Sequence, residues 1–347
     1  MTILIIIALI YFSSSMLGKF FKENSIHKTI VGKMDFIFLL RPTSLFIVWI
    51  LISLGMYLAQ FANNNLELFS SDFSFKTFLF YVSASLMSTI FIINNQLDKT
   101  DEKYLIKEKF NLELIDKSKK ILLVFAMFSV LYPCWFFSLV YLFLYLIYER
   151  LYIKNKSNVV FSFVYNSCLI IIFIFLGVFY QIFQKSLIFN VDIILLSLPY
   201  ILSIFSIYLF KESYGSVDLD IKNLSSYLSK MHISFIGFCF TMFSLITSFL
   251  LKDPLASTIL IISIFFLFYT LIRGLQKDFI RSIRYSIGIF VFFISTIYPL
   301  IILPAIIVFY LSKYYYWHRF NIHYPTFLVS PNTFCALNIK LKSKYQK

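Results

Sequence analysis

Apolar runs long enough to cross a bilayer, separated by short polar or charged clusters, make up most of this chain. A hydrocarbon core about 30 Å thick is crossed by ~20 residues of α-helix. No water reaches backbone amides there, so each run must close its hydrogen bonds within its own helix. The period-2 alternation of a membrane barrel is missing. Runs lie at 36–61, 76–95, 120–133, 135–149, 159–182, 189–210, 232–251, 255–274 and 287–312. They predict an all-α membrane protein with about nine transmembrane helices. Pro133 separates two short runs and predicts a tight helical hairpin. Hydrophobic residues make up 60% of the 347, and charged residues 14%, more apolar surface than a soluble fold can hide.

Formal charge is +14, which in a soluble protein would raise the idea of nucleic acid. Here the lysines and arginines sit mostly in short loops, as the positive-inside rule requires, so lipids rather than nucleic acid are the expected surroundings. The segments 96–119, 149–158, 211–231 and 275–286 are rich in charge, whereas 62–75, 183–188 and 252–254 are short or weakly charged. Placing the basic loops in the cytoplasm puts 96–119 and 211–231 on one face of a multi-pass protein of the cell membrane. One conflict follows. Nine spans counted from a cytoplasmic Lys33 leave the basic tail, with Lys313, Arg319, Lys340 and Lys344, on the opposite side.

Residues 2–18 are apolar with no preceding basic residue and no small-x-small cleavage site, so an extra helix or anchor is expected there. The organisation read from these features is an N-terminal anchor and basic linker over 1–32, a multi-helix membrane domain over 33–313 and a basic tail over 314–347. Cys134, Cys168, Cys239 and Cys335 have no CxxC spacing, and His318 and His323 have no neighbouring ligand set. Neither a disulfide framework nor a zinc site is implied.

Two acidic clusters are the candidates for chemistry. In IINNQLDKTDEK, Asn94, Asp98 and Glu102 stand at i, i+4 and i+8, one face of a continuing helix. Hard oxygen donors at a helix end suit Mg²⁺, which binds through one or two carboxylates plus phosphate oxygens. Lys99 and Lys103 are placed to meet the same anion. KESYGSVDLDIK adds Glu212, Asp218 and Asp220 on the same predicted face, and carboxylates opposed across a cavity repel unless a cation lies between them. A solvated helix end with mixed charges and a Ser/Gly turn stand as the plain alternatives.

These segments resemble the UbiA-type intramembrane prenyltransferases. The family's first motif, NDxxDxxxD, is similar to NNQLDKTDE at Asn94, Asp98 and, conservatively, Glu102, with Asn95 in place of the first aspartate. LLRPTSLFIVWILISLG, with Arg41, Pro42 and Gly55, resembles the family's first helix. YIKNKS resembles its basic loop before the fifth, and YYYWHRFNIHYP the end of several members. The likeness spans about 33–325. It departs at the second motif, DxxDxxGD, of which only Asp220 keeps an acid in register, and the Arg-Pro pair and glycine that follow the first motif are missing.

The resemblance implies a helical bundle around a central cavity that holds a polyprenyl diphosphate. Mg²⁺ would be held by Asn94, Asp98, Glu102, Glu212, Asp218 and Asp220, with Asp98 and Asp220 as the catalytic acids. Lys99, Lys103, Lys154, Lys156 and Arg41 would share the diphosphate charge. The implied activity is prenyl transfer to an acceptor that no residue identifies. A transporter or flippase, or a non-catalytic membrane subunit, is the competing expectation. Transporters place ionisable residues or broken helices at mid-membrane, whereas the mid-span positions here are almost free of charge and Asp192 lies near a span end.

Overall fold

A computed structural model of the protein describes residues 34, 38, 45–64, 74–97, 112–155, 158–214 and 228–320. Among them, ten helices of a full span or near it follow one another. They are α1 (Leu45–Ala62), α2 (Phe75–Leu97), α3 (Leu112–Cys134), α4 (Phe136–Ile147), α5 (Val159–Lys185), α6 (Asp192–Tyr214), α7 (Lys230–Leu250), α8 (Pro254–Arg273), α9 (Gln276–Ile297) and α10 (Ile302–Phe320). A π-helical turn at Tyr148–Tyr152 and a last turn at Ile153–Asn155 prolong α4. Six helices, α4 with its extension among them, are long and apolar enough to cross a membrane, and shorter apolar helices lie at Phe75–Phe91 and Ile302–Tyr315. Large apolar side chains such as Phe128, Phe143, Phe243 and Phe265 point outward. Such a surface is stable only against hydrocarbon, and the protein is a multi-pass integral membrane protein.

Contacts between neighbours give each helix a direction. Trp49 donates to Ser85 at 2.8 Å, and Ser53 meets Tyr81 at 2.6 Å, so α1 and α2 are antiparallel. Phe80 packs on Phe137, Ser83 meets Tyr141 and Phe91 packs on Tyr148, so α2 and α4 run in parallel. Lys76, at the start of α2, lies over the ring of Tyr132, near the end of α3. The chain therefore reverses at residues 133–136, the hairpin expected from Pro133. Phe163 and Asn166 near the start of α5 meet Tyr208 near the end of α6. Ser244 donates to the Pro199 carbonyl across α6 and α7, and Thr270 bonds Ser282 across α8 and α9. All ten helices alternate between a face A, where α1 begins, and a face B.

Caps written in the sequence fix several boundaries. The Asn158 side chain accepts from the amides of Val160 and Phe161, and Ser229 accepts from His232. Asp253 accepts from Leu255 and Ala256 ahead of Pro254, the first residue of α8. Gly274, at φ 61°, closes α8 in the left-handed conformation.

The tightest packing is between α1 and α5. A Cβ on Gly55 would lie 1.9 Å from the Ile174 carbonyl oxygen, and one on Gly177 would lie 2.1 Å from that of Ile52. Two parallel backbones therefore touch, the use to which small residues are put in a bilayer. Elsewhere buried Ser and Thr hydroxyls join helices, as at Ser206 and Thr241. At face B, Asp253 also accepts from Tyr57 at 2.9 Å and Tyr200 at 2.8 Å, tying α1, α6 and the α7–α8 turn to one buried carboxyl.

The C-terminal part departs from expectation. The span expected at 287–312 is two elements, because the chain turns at Tyr298 and a 3₁₀ turn at Pro299–Ile301 between α9 and α10. Proline cannot continue the α9 ladder, so the helix ends there. The charged segment 275–286 is not a loop but the first half of α9. Asp278 is buried there between Arg273 at 3.4 Å and Arg281 at 3.7 Å. Tyr298 bonds Gln60 at face B, and Tyr315 stacks on Phe38 at 3.9 Å, so α10 returns to face A. Among the described residues, the end of α10 lies on the face where α1 begins. The expected domain boundary at 313 falls within α10.

Two outcomes follow. Gly55→Ala should destabilise the protein by about 1–3 kcal/mol in a detergent unfolding titration, since backbone atoms cannot yield as a side chain would. An unchanged midpoint would contradict the close approach. In intact cells, cysteines introduced at Lys154 and in a C-terminal tag should share one accessibility to a membrane-impermeant maleimide, with Asn190→Cys and Lys252→Cys showing the opposite one.

Candidate functional site

The helices that lead into both acidic segments end at face A. α2 runs to Leu97 on this face and carries Asn94 in its last turn, and α6 runs to Tyr214 on the same face. Glu212 lies half-buried in the last turn of α6. Lys154 is exposed in the turn that ends the α4 extension, also on face A. Arg41, Asp98, Lys99, Glu102, Lys103, Lys156, Asp218 and Asp220 lie outside the described residues. Among the described residues no group of three or more His, Cys, Asp or Glu side chains could hold a metal ion.

A line of aromatic and amide side chains joins the two helix ends. The Tyr148 hydroxyl reaches the Phe91 carbonyl of α2 at 3.5 Å, and Tyr148 stacks on Tyr152 at 5.4 Å. Tyr152 packs on Tyr165 at 4.5 Å, and its hydroxyl meets Ser162. Asn166 donates to both Ser162 and Tyr208, and the Tyr208 hydroxyl interacts with Glu212 of α6. Tyr148 and Tyr152 are the first and last residues of the π-helical turn, on one side of it, with their rings stacked at 16°. Such turns recur where a helix is locally reshaped for function.

Within this line the Tyr165 hydroxyl is buried without a hydrogen-bond partner among the described residues. A polar atom left unpaired in an apolar surrounding marks a place where water or a ligand atom would be bound. Lys211 lies 5.2 Å over the Tyr208 ring, so the end of α6 presents one cation and one carboxylate side by side. Further along face A, Phe210 packs on Phe279 at 6.1 Å, which sets the Arg273–Asp278–Arg281 cluster close to the end of α6.

Reading the sequence for acids and lysines missed Asn166, Tyr148, Tyr152, Tyr165, Tyr208, Arg273, Asp278 and Arg281. For Asp278, Arg281 and Arg284 a signal was present, since a spacing of three places them on one side of a helix. For the tyrosines it was not, because the chain has 24 of them and their pairing crosses from helix to helix.

No known family profile matches the sequence, and no curated protein matches it. Among solved structures, a digeranylgeranylglyceryl phosphate synthase in membranes is similar, at 15% identity and a TM-score of 0.47, over 74% of this chain and 99% of that one.

Two tyrosine substitutions separate paired from unpaired hydroxyls. Tyr208→Phe, which loses the bond from Asn166, should lower unfolding stability by about 1 kcal/mol. Tyr165→Phe, which removes an unpartnered buried hydroxyl, should leave stability unchanged or raise it. An equal loss in both would show that Tyr165 has a bound partner.

Proposed function

We propose that this protein is a divergent UbiA-type prenyltransferase that moves a prenyl group from a polyprenyl diphosphate to an acceptor within the membrane. The observation that carries this reading is topological. The two helices that lead into NNQLDKTDE and KESYGSVDLD, α2 and α6, end on one face and are joined there by a polar line from Tyr148 to Glu212. Two carboxylate-bearing segments that follow helices ending on one face would suit a divalent cation and a diphosphate better than bulk solvent.

The donor set is one of hard oxygens. Asn94, Asp98 and Glu102 from the first segment, with Glu212, Asp218 and Asp220 from the second, would hold Mg²⁺. When bound, Mg²⁺ supplies charge neutralisation to a leaving diphosphate. Lys99, Lys103, Lys154, Lys156 and Arg41 would carry the remaining negative charge, and preorganised cations of this kind act most strongly where water is scarce. The apolar bundle beneath face A would exclude water from a reactive allylic carbon. Face A is the cytoplasmic face in this reading, because Lys117, Lys120, Arg150, Lys154, Lys211 and Lys230 lie at its helix ends against Lys76, Lys185 and Lys252 at face B.

Purified protein in nanodiscs should transfer prenyl groups from a radiolabelled polyprenyl diphosphate to an extracted-lipid acceptor pool. Transfer should stop on EDTA treatment, and Asp98→Asn should lower it by about 10²–10³-fold, the scale of losing one electrostatic contact to a leaving group. Turnover equal to wild type in Asp98→Asn, with the variant folded by its elution profile, would remove the proposal.

A further inference from the structure

The end of α8 and the start of α9 hold a cationic cluster that the transferase reading does not use. Gly274 turns the chain between the two helices, and Thr270 donates to the Asp278 carbonyl at 3.3 Å across the turn. Asp278, 1% exposed in the first turn of α9, lies between the guanidinium groups of Arg273 at 3.4 Å and Arg281 at 3.7 Å. These contacts are ionic only. Both Asp278 oxygens and the Arg281 Nε are buried without a hydrogen-bond partner among the described residues. Arg273 lies 5.3 Å over the Tyr269 ring, donates to its hydroxyl, and keeps a side chain 41% exposed. Lys230 opens α7 at the same end, because Phe238 of α7 packs on Phe268 of the antiparallel α8. Two arginines and one lysine against one aspartate leave this end with a net charge of +2. Toward mid-bilayer the lipid-facing side of α8 continues as an apolar strip, with Phe265 69% and Ile272 65% exposed.

We propose that this turn is a headgroup site for an anionic phospholipid, whose phosphate is held by Arg273 and Arg281 and whose acyl chains lie along Phe265, Tyr269 and Ile272. The site does not depend on the transferase reading. Three features select this occupant. A guanidinium presents five N–H donors in a planar fork that matches phosphate oxygens. Asp278 engages Arg273 through Nε and Arg281 through one terminal nitrogen, which orients both forks and leaves further N–H groups on each. The buried Arg281 Nε is costly until an oxygen meets it. A zwitterionic boundary lipid would bring its own choline cation into an end already at +2, whereas an anionic lipid neutralises that charge. The apolar strip on α8, finally, gives acyl chains a seat that a free phosphate ion cannot use.

Native mass spectrometry of the full-length protein with an equimolar mixture of dioleoylphosphatidylglycerol and dioleoylphosphatidylcholine tests this. One phosphatidylglycerol should stay bound through delipidation, at about tenfold higher occupancy than phosphatidylcholine, the scale of one or two basic contacts at a membrane surface. Arg273→Gln, at a half-exposed position, should bring that preference close to unity. Asp278→Asn combined with Arg281→Gln should do the same. This pair removes a buried charge together with its partner and leaves the net charge of the end unchanged, so it separates the fork from the charge. Arg150→Gln, at an exposed arginine of face A on the α4 extension, should leave the preference intact. Equal retention of the two lipids by the wild-type protein, or a preference that survives in either turn variant, would overturn the proposal. Loss of the preference in Arg150→Gln as well would show a diffuse basic surface and overturn it too. Displacement of phosphatidylglycerol by millimolar inorganic phosphate would mean an anion site without a lipid seat, with the same consequence.

Discussion

The backbone contact between α1 and α5 is the constraint on which the bundle depends. Parallel helices in a bilayer gain nothing from hiding apolar surface, because lipid is as apolar as they are, so close packing must supply the attraction. Gly55 and Gly177 let the carbonyls of Ile174 and Ile52 come where a methyl group would otherwise stand. That pair fixes α5 against α1, and α5 in turn orients its neighbours at both faces. Toward face B, Tyr180 stacks on Phe80 of α2 at 4.3 Å and bonds Thr77 at 2.9 Å. Toward face A, Tyr165 and Asn166 reach the α4 extension and α6.

The two faces are built differently. Face B is closed by saturated polar contacts. Asp253 takes bonds from two tyrosines and two backbone amides, so both of its oxygens serve the structure. Face A holds polar atoms with capacity to spare, including the orphaned Tyr165 hydroxyl and the carboxylate oxygens of Asp278, which have ion-pair neighbours but no hydrogen bonds. Buried polar groups that are fully paired rigidify a fold, and those that are not invite a ligand. The concentration of lysine and arginine at the helix ends of the same face agrees with that division.

Much of the architecture was legible in the apolar runs. Unbroken stretches of about 20 residues predict helices whatever their partners, and Pro133 marks a reversal that α2 confirms by touching the end of α3 and the start of α4. The reading failed where charge and helix coincide. Asp278, Arg281 and Arg284 look like loop residues in a hydropathy profile, yet they line one side of α9 while Phe279 and Ile283 pack inward. That error hid the break at Tyr298. For the site, the sequence offered two acidic segments; the described helices that lead into them, α2 and α6, end on one face, and the acids beyond Leu97 and Tyr214 lie outside the described residues. The pairing of Tyr57 and Tyr200 through Asp253, or of Asn166 with Tyr208, joins residues far apart in sequence, and no local pattern announces such partners.

Whether carboxylates of both segments share one cation decides the account. Electron paramagnetic resonance of Mn²⁺ titrated into the protein with inorganic pyrophosphate reads this without any acceptor. A single high-affinity, immobilised Mn²⁺ population that disappears in Asp98→Asn and again in Asp220→Asn is the predicted result. Mn²⁺ binding that persists unchanged in both variants, or that is lost only together with the folded protein, would contradict it.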